Sequence, residues 1–184
     1  MTWVVIVIVV VVVLLVLILI GMYNKLVRLR NRSENAWAQV DVQLRKRYDL
    51  VPNLVETVKG YAAHERETFE AVTNARVSAQ QAQGVAQQAQ AENVLTAALG
   101  RLFAVAEAYP QLRATENFQQ LQEELSGTES KIAYARQFYN DQVMRLNTAI
   151  QSFPSSIVAR RFHFQPREFF QIDEPERGPV RVDL

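Results

Sequence analysis

The amino-acid sequence predicts an all-α protein: an N-terminal single-pass transmembrane helix, an elongated antiparallel three- to four-helix bundle, and a short irregular C-terminal tail. An unbroken apolar run extends from Trp3 to Met22, and apolar side chains then recur at spacings of three and four. Gly and Pro number only 6 each, which leaves long stretches free of helix breakers. We expect the anchor at residues 1–24, the bundle at 25–162 and an aromatic and charged tail at 163–184.

The apolar run has the length of a membrane span. Trp3 and Tyr23 bracket it, and at helical rise they lie roughly 30 Å apart, the thickness of the hydrocarbon core of a bilayer. A cleavable signal peptide needs a basic n-region, a shorter apolar core and small residues at its cleavage site, and the run has none of these. We therefore expect an uncleaved anchor that contacts the lipid bilayer from Trp3 to Tyr23.

Basic residues flank the run on one side only. Lys25, Arg28, Arg30 and Arg32 follow it, whereas Met1 and Thr2 precede it. Lys and Arg near a span favour the cytoplasmic side. We expect a short N-terminus outside the cell and the bundle in the cytoplasm.

Composition narrows the functional classes. The chain has 184 residues, a formal net charge of +1 and no cysteine. After the anchor, its length suits one domain with a core of its own. The near-zero charge disfavours nucleic-acid binding, which needs a concentrated basic face, and the absence of cysteine excludes disulfides, Cys-ligated zinc and thiol nucleophiles.

One apolar stripe indicates a long amphipathic helix that continues the anchor as a stalk. Its positions are Leu26, Leu29, Ala36, Val40, Leu44, Val51, Val55, Val58, Ala62, Phe69, Thr73 and Val77. Pro52 interrupts the stripe because proline has no N–H and clashes with the carbonyl four residues earlier, at Tyr48. We predict a kink or break between Tyr48 and Asn53, with Asp49 as a cap for a restarted helix.

Two further helices are predicted beyond a Gln- and Ala-rich tract, Ala75 to Glu92, which contains Gly84. This tract is either a helix tip or a mobile hairpin connection, and we place it at the far end of the bundle. The second helix begins at about Glu92 and ends at Pro110, with Leu95, Leu99, Leu102, Ala106 and Tyr109 on one face. The third carries a heptad pattern closed by Phe153-Pro154: Phe118, Leu121, Leu125, Thr128, Ile132, Ala135, Tyr139, Gln142, Leu146, Ala149 and Phe153.

The C-terminal part changes character. A short helix is predicted from Ser155 to Phe162 with a serine as its N-cap. An aromatic patch follows, comprising Phe162, Phe164, Phe169 and Phe170. The phenylalanines either fold back on the bundle, or Phe169 and Phe170 pack into a neighbouring molecule together with the last apolar residues of the chain, which could also add a strand to an edge. Disorder is the alternative for the residues past Asp173. Val180, Val182 and Leu184 alternate with polar residues as in a strand.

Motifs spread over most of the chain resemble those of the bacterial LemA family. They are Tyr23-Asn24-Lys25-Leu26-Val27, Asn35-Ala36-Trp37, Asp41-Val42-Gln43-Leu44, Arg47-Tyr48-Asp49-Leu50-Val51-Pro52-Asn53-Leu54-Val55, Val58-Lys59-Gly60-Tyr61-Ala62, His64-Glu65, Tyr109-Pro110, Glu116-Asn117-Phe118, Leu121-Gln122, Glu124-Leu125, Thr128-Glu129, Ile132-Ala133, Ala135-Arg136, Tyr139-Asn140 and Phe153-Pro154. The resemblance implies a membrane-anchored helical bundle at the bacterial inner (cytoplasmic) membrane. It brings no catalytic activity and no catalytic residues.

No motif indicates a reaction. His64-Glu65 begins like the zinc-protease motif H-E-x-x-H, but position 68 is Thr and the other histidine, His163, is distant in sequence. We expect His64 to be an exposed or capping residue. The sequence thus predicts no catalytic residue, no cofactor and no metal site.

Charged and amide side chains leave alternatives open. Acid–base chemistry is one interpretation of Asp41, Asp49, Glu56, Arg45 and Arg47, but their spacing favours intrahelical or interhelical ion pairs. Four asparagines are either buried residues that fix helix register or surface residues: Asn35, Asn53, Asn117 and Asn140.

These patterns predict a non-enzymatic scaffold or adaptor at the membrane. The heptad-bearing helix favours self-association as a homo-oligomer, and unknown protein partners or lipid are expected, but no nucleic acid. One alternative is a ligand-sensing bundle with a pocket near Pro52 lined by Tyr48, Asn53 and Trp37. Another is membrane remodelling, with Arg28 and Arg30 facing lipid.

Overall fold

The computed structural model describes residues 1–171, and within them every regular element is a helix. The helices are α1 (Thr2–Lys59), α2 (Arg66–Gln81), α3 (Val85–Glu107), α4 (Pro110–Arg113), α5 (Glu116–Gln151) and α6 (Ser155–Arg161). The predicted all-α class, with an apolar N-terminal helix and packed helices forming a bundle, is confirmed. The strand-like alternation of Val180, Val182 and Leu184 lies outside the described residues.

The chain forms two compact units. Of the described residues, the first consists of 1–41 and 134–168, and the second of 42–133 and 169–171. Helices α1 and α5 each contribute residues to both units. The predicted division at residues 24 and 162 stays a prediction.

The apolar run forms the first part of α1. Its side chains from Trp3 to Ile20 are between 47% and 79% exposed, so residues 1–171 offer them little to pack against. The helix is long and apolar enough to cross a membrane. Beyond the run, α1 buries Leu26 and Ala36 in the first unit, and Leu44 and Val51 in the second.

Pro52 lies inside α1, so of the predicted kink or break the break is wrong, and the kink stays a prediction. Proline cannot supply the N–H that would normally bond to the carbonyl of Tyr48. Arg76 of α2 supplies a donor instead, because its Nε lies 2.7 Å from Tyr48 O. The helix therefore tolerates the proline because a side chain from another helix satisfies the carbonyl that Pro52 leaves free.

The first long helix ends at Lys59 and not near Pro52. A turn over residues 60–65 follows, in which the N–H groups of Tyr61 and Ala62 both bond to Val58 O. The turn resets the helical phase, so the predicted continuation of the stripe to Thr73 and Val77 is wrong. Thr73 and Val77 are exposed, whereas Phe69 is buried as predicted, and α2 also buries Val72, Ala75 and Ala79.

The Gln- and Ala-rich tract forms the connection between two packed helices. Residues 82–84 join α2 to α3, and Gly84 adopts a φ of 81°, a conformation that favours glycine. Helix α3 begins at Val85, earlier than predicted, because the tract itself is helical. Of the predicted face, Leu95, Leu99, Leu102 and Ala106 are buried.

Most of the predicted core positions of α5 are buried. They are Phe118, Leu121, Leu125, Thr128, Ile132, Tyr139, Gln142 and Leu146, and Val143 joins them. Phe153 is 81% exposed, contrary to the prediction, because α5 ends at Gln151 and Phe153 lies in the turn that follows. Ser155 is the first residue of α6 and not its N-cap; its Oγ donates to Ala149 O at 2.6 Å.

The first unit has a small apolar interior. Leu26, Val158 and Ala159 are buried together, with Met22 and Phe164 packed against them. The ring of Tyr23 contacts Phe162 and Phe164, with centroids 4.8 and 5.9 Å apart. Part of the predicted aromatic patch therefore folds back on the chain's own helices.

Candidate functional site

A buried charged cluster joins three helices of the second unit. Arg47 of α1 is 1% exposed and Glu92 of α3 is 0% exposed. Arg47 Nη1 donates to Glu92 Oε2 at 2.9 Å, and Nη2 donates to Thr96 Oγ1 at 2.8 Å. Its Nε lies 2.9 Å from Glu129 Oε1 of α5 but is not directed at it, so this third contact is an ion pair and not an aligned hydrogen bond.

The other oxygen of Glu92 is also occupied. The Tyr48 hydroxyl donates to Glu92 Oε1, and Gln88 Nε2 lies 2.8 Å from the same oxygen. Gln88 Nε2 also lies 2.8 Å from the Tyr48 hydroxyl and 3.1 Å from Ala79 O. The buried carboxylate therefore has partners on both oxygens, which a charge of this kind requires.

Burial raises the pKa of the Tyr48 hydroxyl, and the hydrogen bond and negative charge of Glu92 raise it further. The hydroxyl therefore stays protonated as a donor to Glu92. Burial also raises the pKa of Glu129, an effect that Arg47 opposes and Glu92 adds to. The cluster thus holds one fixed neutral donor and one carboxylate whose ionisation the surroundings disfavour.

An open cleft of about 430 Å³ lies against this cluster within the second unit. Leu99, Phe103 and Leu125 supply apolar walls, while Arg47 and Glu129 line it with charge. Such a volume, with mainly apolar walls and a few polar groups, is typical of small-molecule sites. The cleft and the charged cluster together form the candidate site.

A second polar arrangement lies in the first unit. The Asn147 side chain donates to Arg167 O and accepts from Arg167 N, both at 2.9 Å. The Tyr139 hydroxyl donates to Glu168 O at 2.9 Å, and burial raises the pKa of Tyr139, which keeps this donor protonated. These bonds fasten the irregular segment of residues 163–168 to α5.

The charged residues for which the sequence predicts ion pairs differ in burial and in their partners. Arg47 is buried in interhelical ion pairs, whereas Glu56 pairs with Lys59 at 3.6 Å on the surface. Asp49 and Arg45 are exposed and Asp41 is half-buried. The ion-pair interpretation therefore holds for Arg47 and Glu56, although Arg47 is buried and does not lie on a solvated helix face.

Most of the asparagines that the sequence analysis selected are surface residues. Asn35, Asn53 and Asn117 are exposed, and Asn140 is half-buried. His64 is exposed, as expected. Among residues 1–171, no group of three or more His, Asp or Glu side chains is placed to hold a metal ion. The expectation that the chain has no catalytic, cofactor or metal residue stays a prediction.

The structure describes the surroundings of the three residues named for a pocket near Pro52, and that pocket stays a prediction. Asn53 is exposed, the Tyr48 hydroxyl is bonded to Glu92, and Trp37 packs against Tyr139 with ring centroids 5.2 Å apart. None of the three lines the cleft beside Arg47.

Sequence reasoning missed Glu92 and Gln88, although a signal was present. The α3 face of Leu95 and Leu99 extends backwards by steps of three and four to exactly these positions. Arg47 likewise falls between Leu44 and Val51 on the buried stripe of α1. A charged residue on the apolar stripe of each of two helices predicts a buried pair.

Fold and site together define an all-helical protein with an apolar N-terminal helix of membrane-spanning length and a bundle held by a buried charged cluster. The sequence profile of the LemA family matches residues 36–184. The chain therefore belongs to the LemA family.

The chain is similar to several named relatives. It is 25% identical to Protein LemA of Metamycoplasma hominis, over 88% of this chain and 74% of that protein. It is 24% identical to Magnetosome protein MamQ 2 of Paramagnetospirillum magneticum, over 83% of this chain and 66% of that protein. Magnetosome protein MamQ of Magnetospirillum gryphiswaldense is also 24% identical, over 83% of this chain and 65% of that protein. The apolar helix and these relatives indicate a membrane location.

Proposed function

We propose that this chain is a single-pass protein of the bacterial inner membrane that acts as a non-enzymatic scaffold or adaptor, organising protein partners or lipid at the cytoplasmic surface. The observation that carries the proposal is the continuity of α1. One helix holds both the exposed apolar run and the buried residues Arg47 and Tyr48. A bilayer contact at one part of the helix and a folded body at the other are what such an adaptor needs.

Lipid is the medium that suits the apolar run. The side chains from Trp3 to Ile20 are 47–79% exposed among the described residues. Transfer of Leu, Ile and Val near the centre of a membrane helix is favourable by about 0.3–0.6 kcal/mol per residue. Summed over this run, insertion gains roughly 5–10 kcal/mol on the same scale.

The charged cluster supports a structural role. Both oxygens of Glu92 and both terminal nitrogens of Arg47 are hydrogen-bonded within the unit, and Arg47 Nε lies in an ion pair with Glu129. Groups engaged in this way hold helices together and are not free to exchange protons with a substrate. The role of the cluster in the adaptor is therefore to hold its helices together.

Self-association is part of the proposal. Tyr134 and Phe138 lie one turn apart on α5 and are 73% and 46% exposed. Exposed aromatic side chains at this spacing suit a second copy of the same helix, because two such pairs interdigitate across a two-fold axis.

Light scattering of the detergent-extracted chain tests self-association. We expect the wild type to be an oligomer and the double variant Tyr134→Ser with Phe138→Ser to be a monomer. A wild-type monomer contradicts self-association, and Gln137→Ser on the same helix is the matched control.

The anchor is tested separately. Deletion of residues 2–22 should release the chain from sedimented membranes into the soluble fraction. A deleted chain that still sediments with membranes and resists high salt would refute the anchor. Cross-linking in native membranes followed by mass spectrometry then identifies what the scaffold holds; cross-links to no protein or lipid contradict the adaptor role.

A second candidate function is ligand sensing at the cleft beside Arg47. Gly100 lines this cleft, and a Cβ added there meets nothing within 4 Å. Gly100→Leu is designed to fill the cleft, since its Cβ meets open space, and Gly127→Leu, where a Cβ also meets open space on α5, is the control. If a metabolite library raises the thermal midpoint of the wild type and of the control but not of Gly100→Leu, the cleft is a ligand site. Equal responses from all three exclude it.

A further inference from the structure

The first unit contains an apolar groove where α6 packs beside the end of the apolar run. The groove has a volume of about 430 Å³. Leu19, Ile20 and Tyr23 of α1 form one wall, and Ile157, Arg161 and Phe162 form the other. Arg161 is the charged side chain that lines it among the described residues.

Apolar residues also lie on the outer face of this region. Val158 and Ala159 bury one face of α6 against Leu26. Yet Ile157 is 59% exposed and Phe162, which directly follows the helix, is 56% exposed. A short helix that is apolar on both its inner and its outer face does not suit contact with water alone.

The position of the groove indicates what covers it. Leu19 and Ile20 belong to the run that would cross the membrane, so whatever fills the groove shares the bilayer with them. Arg160 and Arg161 end α6, and Lys25 and Arg28 follow the run on α1. Basic side chains beside an apolar surface match the phosphates of anionic lipids, because their apolar stems lie along the hydrocarbon while their charged ends reach the headgroups.

We propose that α6 lies in the membrane interface and that its groove holds an acyl chain of an anionic phospholipid from the surrounding bilayer, with the lipid phosphate at Arg161. This inference rests on the membrane anchoring proposed above. It adds a second lipid contact to the chain, far in sequence from the anchor, and a preference for negatively charged lipid.

Spin labels test the placement of α6. The full chain has no cysteine, so single-cysteine variants at Val10, Ile157, Phe162 and Gln137 each carry one label. In bilayers of phosphatidylcholine with phosphatidylglycerol, we expect labels at 157 and 162 to collide with oxygen and be shielded from a water-soluble nickel chelate, as at 10. The label at 137, on an exposed position of α5, should show the opposite.

The outcomes separate the two proposals. If labels at 157 and 162 behave like that at 137 while the label at 10 is in lipid, the groove inference is overturned and the anchor stands. If the label at 10 is also in water, the anchor itself fails. Dipolar broadening between labels at 157 that disappears on dilution with unlabelled chain assigns the groove to a second copy and overturns the lipid assignment.

Native mass spectrometry tests the lipid preference. Full chain in detergent is mixed with phosphatidylglycerol and phosphatidylcholine, and the retained adducts are counted. We expect phosphatidylglycerol to be preferred, and Arg161→Gln to lower that preference roughly fivefold, the effect of one basic residue near an anionic surface. Arg160→Gln on the same helix is the control and should keep most of it. Equal retention of both lipids by the wild type, or an unchanged preference in Arg161→Gln, refutes the role of Arg161.

Discussion

The buried charged cluster of the second unit consists of side chains that bond to one another, whereas Asn147 and Tyr139 of the first unit bond to the backbone of an irregular segment. In the second unit Arg47, Glu92 and Tyr48 come from two helices. Arg47 pairs with the charge of Glu92, and the neutral Tyr48 hydroxyl donates to the other oxygen of Glu92. In the first unit Asn147 and Tyr139 bond to N–H and C=O groups of Arg167 and Glu168. Mutual pairing depends on every partner, while a backbone bond leaves the partner's side chain free to vary.

The difference has an energetic consequence. Removing one member of a buried ion pair leaves an uncompensated charge, which costs more than the loss of neutral hydrogen bonds. The second unit should therefore be sensitive to single substitutions at its polar core, and the first unit should lose the order of one segment without losing its helices.

The largest effect is expected at Glu92. Glu92→Gln leaves Arg47 buried without its main counter-charge and should lower the free energy of unfolding by about 3–5 kcal/mol. Chemical denaturation in detergent, followed by circular dichroism, measures this. Glu107→Gln on the exposed surface of the same helix is the control. An apolar replacement of both partners, Arg47→Met with Glu92→Leu, should recover most of the loss; if Glu92→Gln is neutral, mutual pairing does not hold this unit.

The next effect is at the carbonyl that Pro52 leaves free. Arg76→Leu removes the donor to Tyr48 O and should cost about 1–3 kcal/mol, the penalty of an unsatisfied buried group. In a Pro52→Ala background the same substitution should cost much less, because residue 52 then supplies its own N–H. The same denaturation assay measures the coupling, with Arg66→Leu on α2 as control. Equal costs in both backgrounds would show that Arg76 does not compensate for the proline.

A smaller effect is expected in the first unit. Asn147→Ala removes two bonds to Arg167 and should cost about 1–2 kcal/mol. Hydrogen exchange at the Arg167 amide should accelerate, while the amides of α5 keep their protection. Gln137→Ala, exposed on the same helix, should change neither quantity. Loss of protection throughout α5 would contradict the distinction between the two units.

The smallest effect is a pH dependence at Glu129. Its raised pKa means that the folded state favours the protonated form, so this stabilisation is present below the ordinary glutamate pKa of about 4.3 and is lost as the pH rises. The stability of the wild type relative to Glu129→Gln should therefore fall between pH 4 and pH 7, by less than about 1 kcal/mol for this half-exposed group. Unfolding at both pH values, with Glu123→Gln as control, checks the sign. A relative rise means that attraction to Arg47 outweighs burial.

Periodicity predicted the helices well where one phase persists. The core positions of α5 from Phe118 to Leu146 follow the heptad pattern because no turn interrupts that helix. The pattern lost accuracy at residues 60–65, where a turn changes the phase before α2. Phe153 and Ser155 were misplaced because the end of a helix depends on a few backbone hydrogen bonds that the apolar pattern does not encode.

The candidate site was harder to predict than the fold. Arg47 was selected as an ion-pair residue, but its burial depends on Glu92 and Glu129, which come from distant parts of the sequence. The selected asparagines are mostly exposed, while Asn147, which was not selected, holds Arg167. Such an asparagine cannot be recognised from helical periodicity. Its partner is a backbone group, which any residue of the irregular segment could supply.

Pro52 leaves one backbone carbonyl inside α1, that of Tyr48, without a donor from its own helix. An ordinary helix interior has its carbonyls paired with its own N–H groups and offers a neighbour only its side chains, which repeat every turn. The carbonyl of Tyr48 is a single acceptor on that surface, and Arg76 reaches it from α2. A slip of α2 by one turn along α1 would leave both groups unpaired. The proline therefore specifies the register of α2 along α1, because only one register places Arg76 at the free carbonyl.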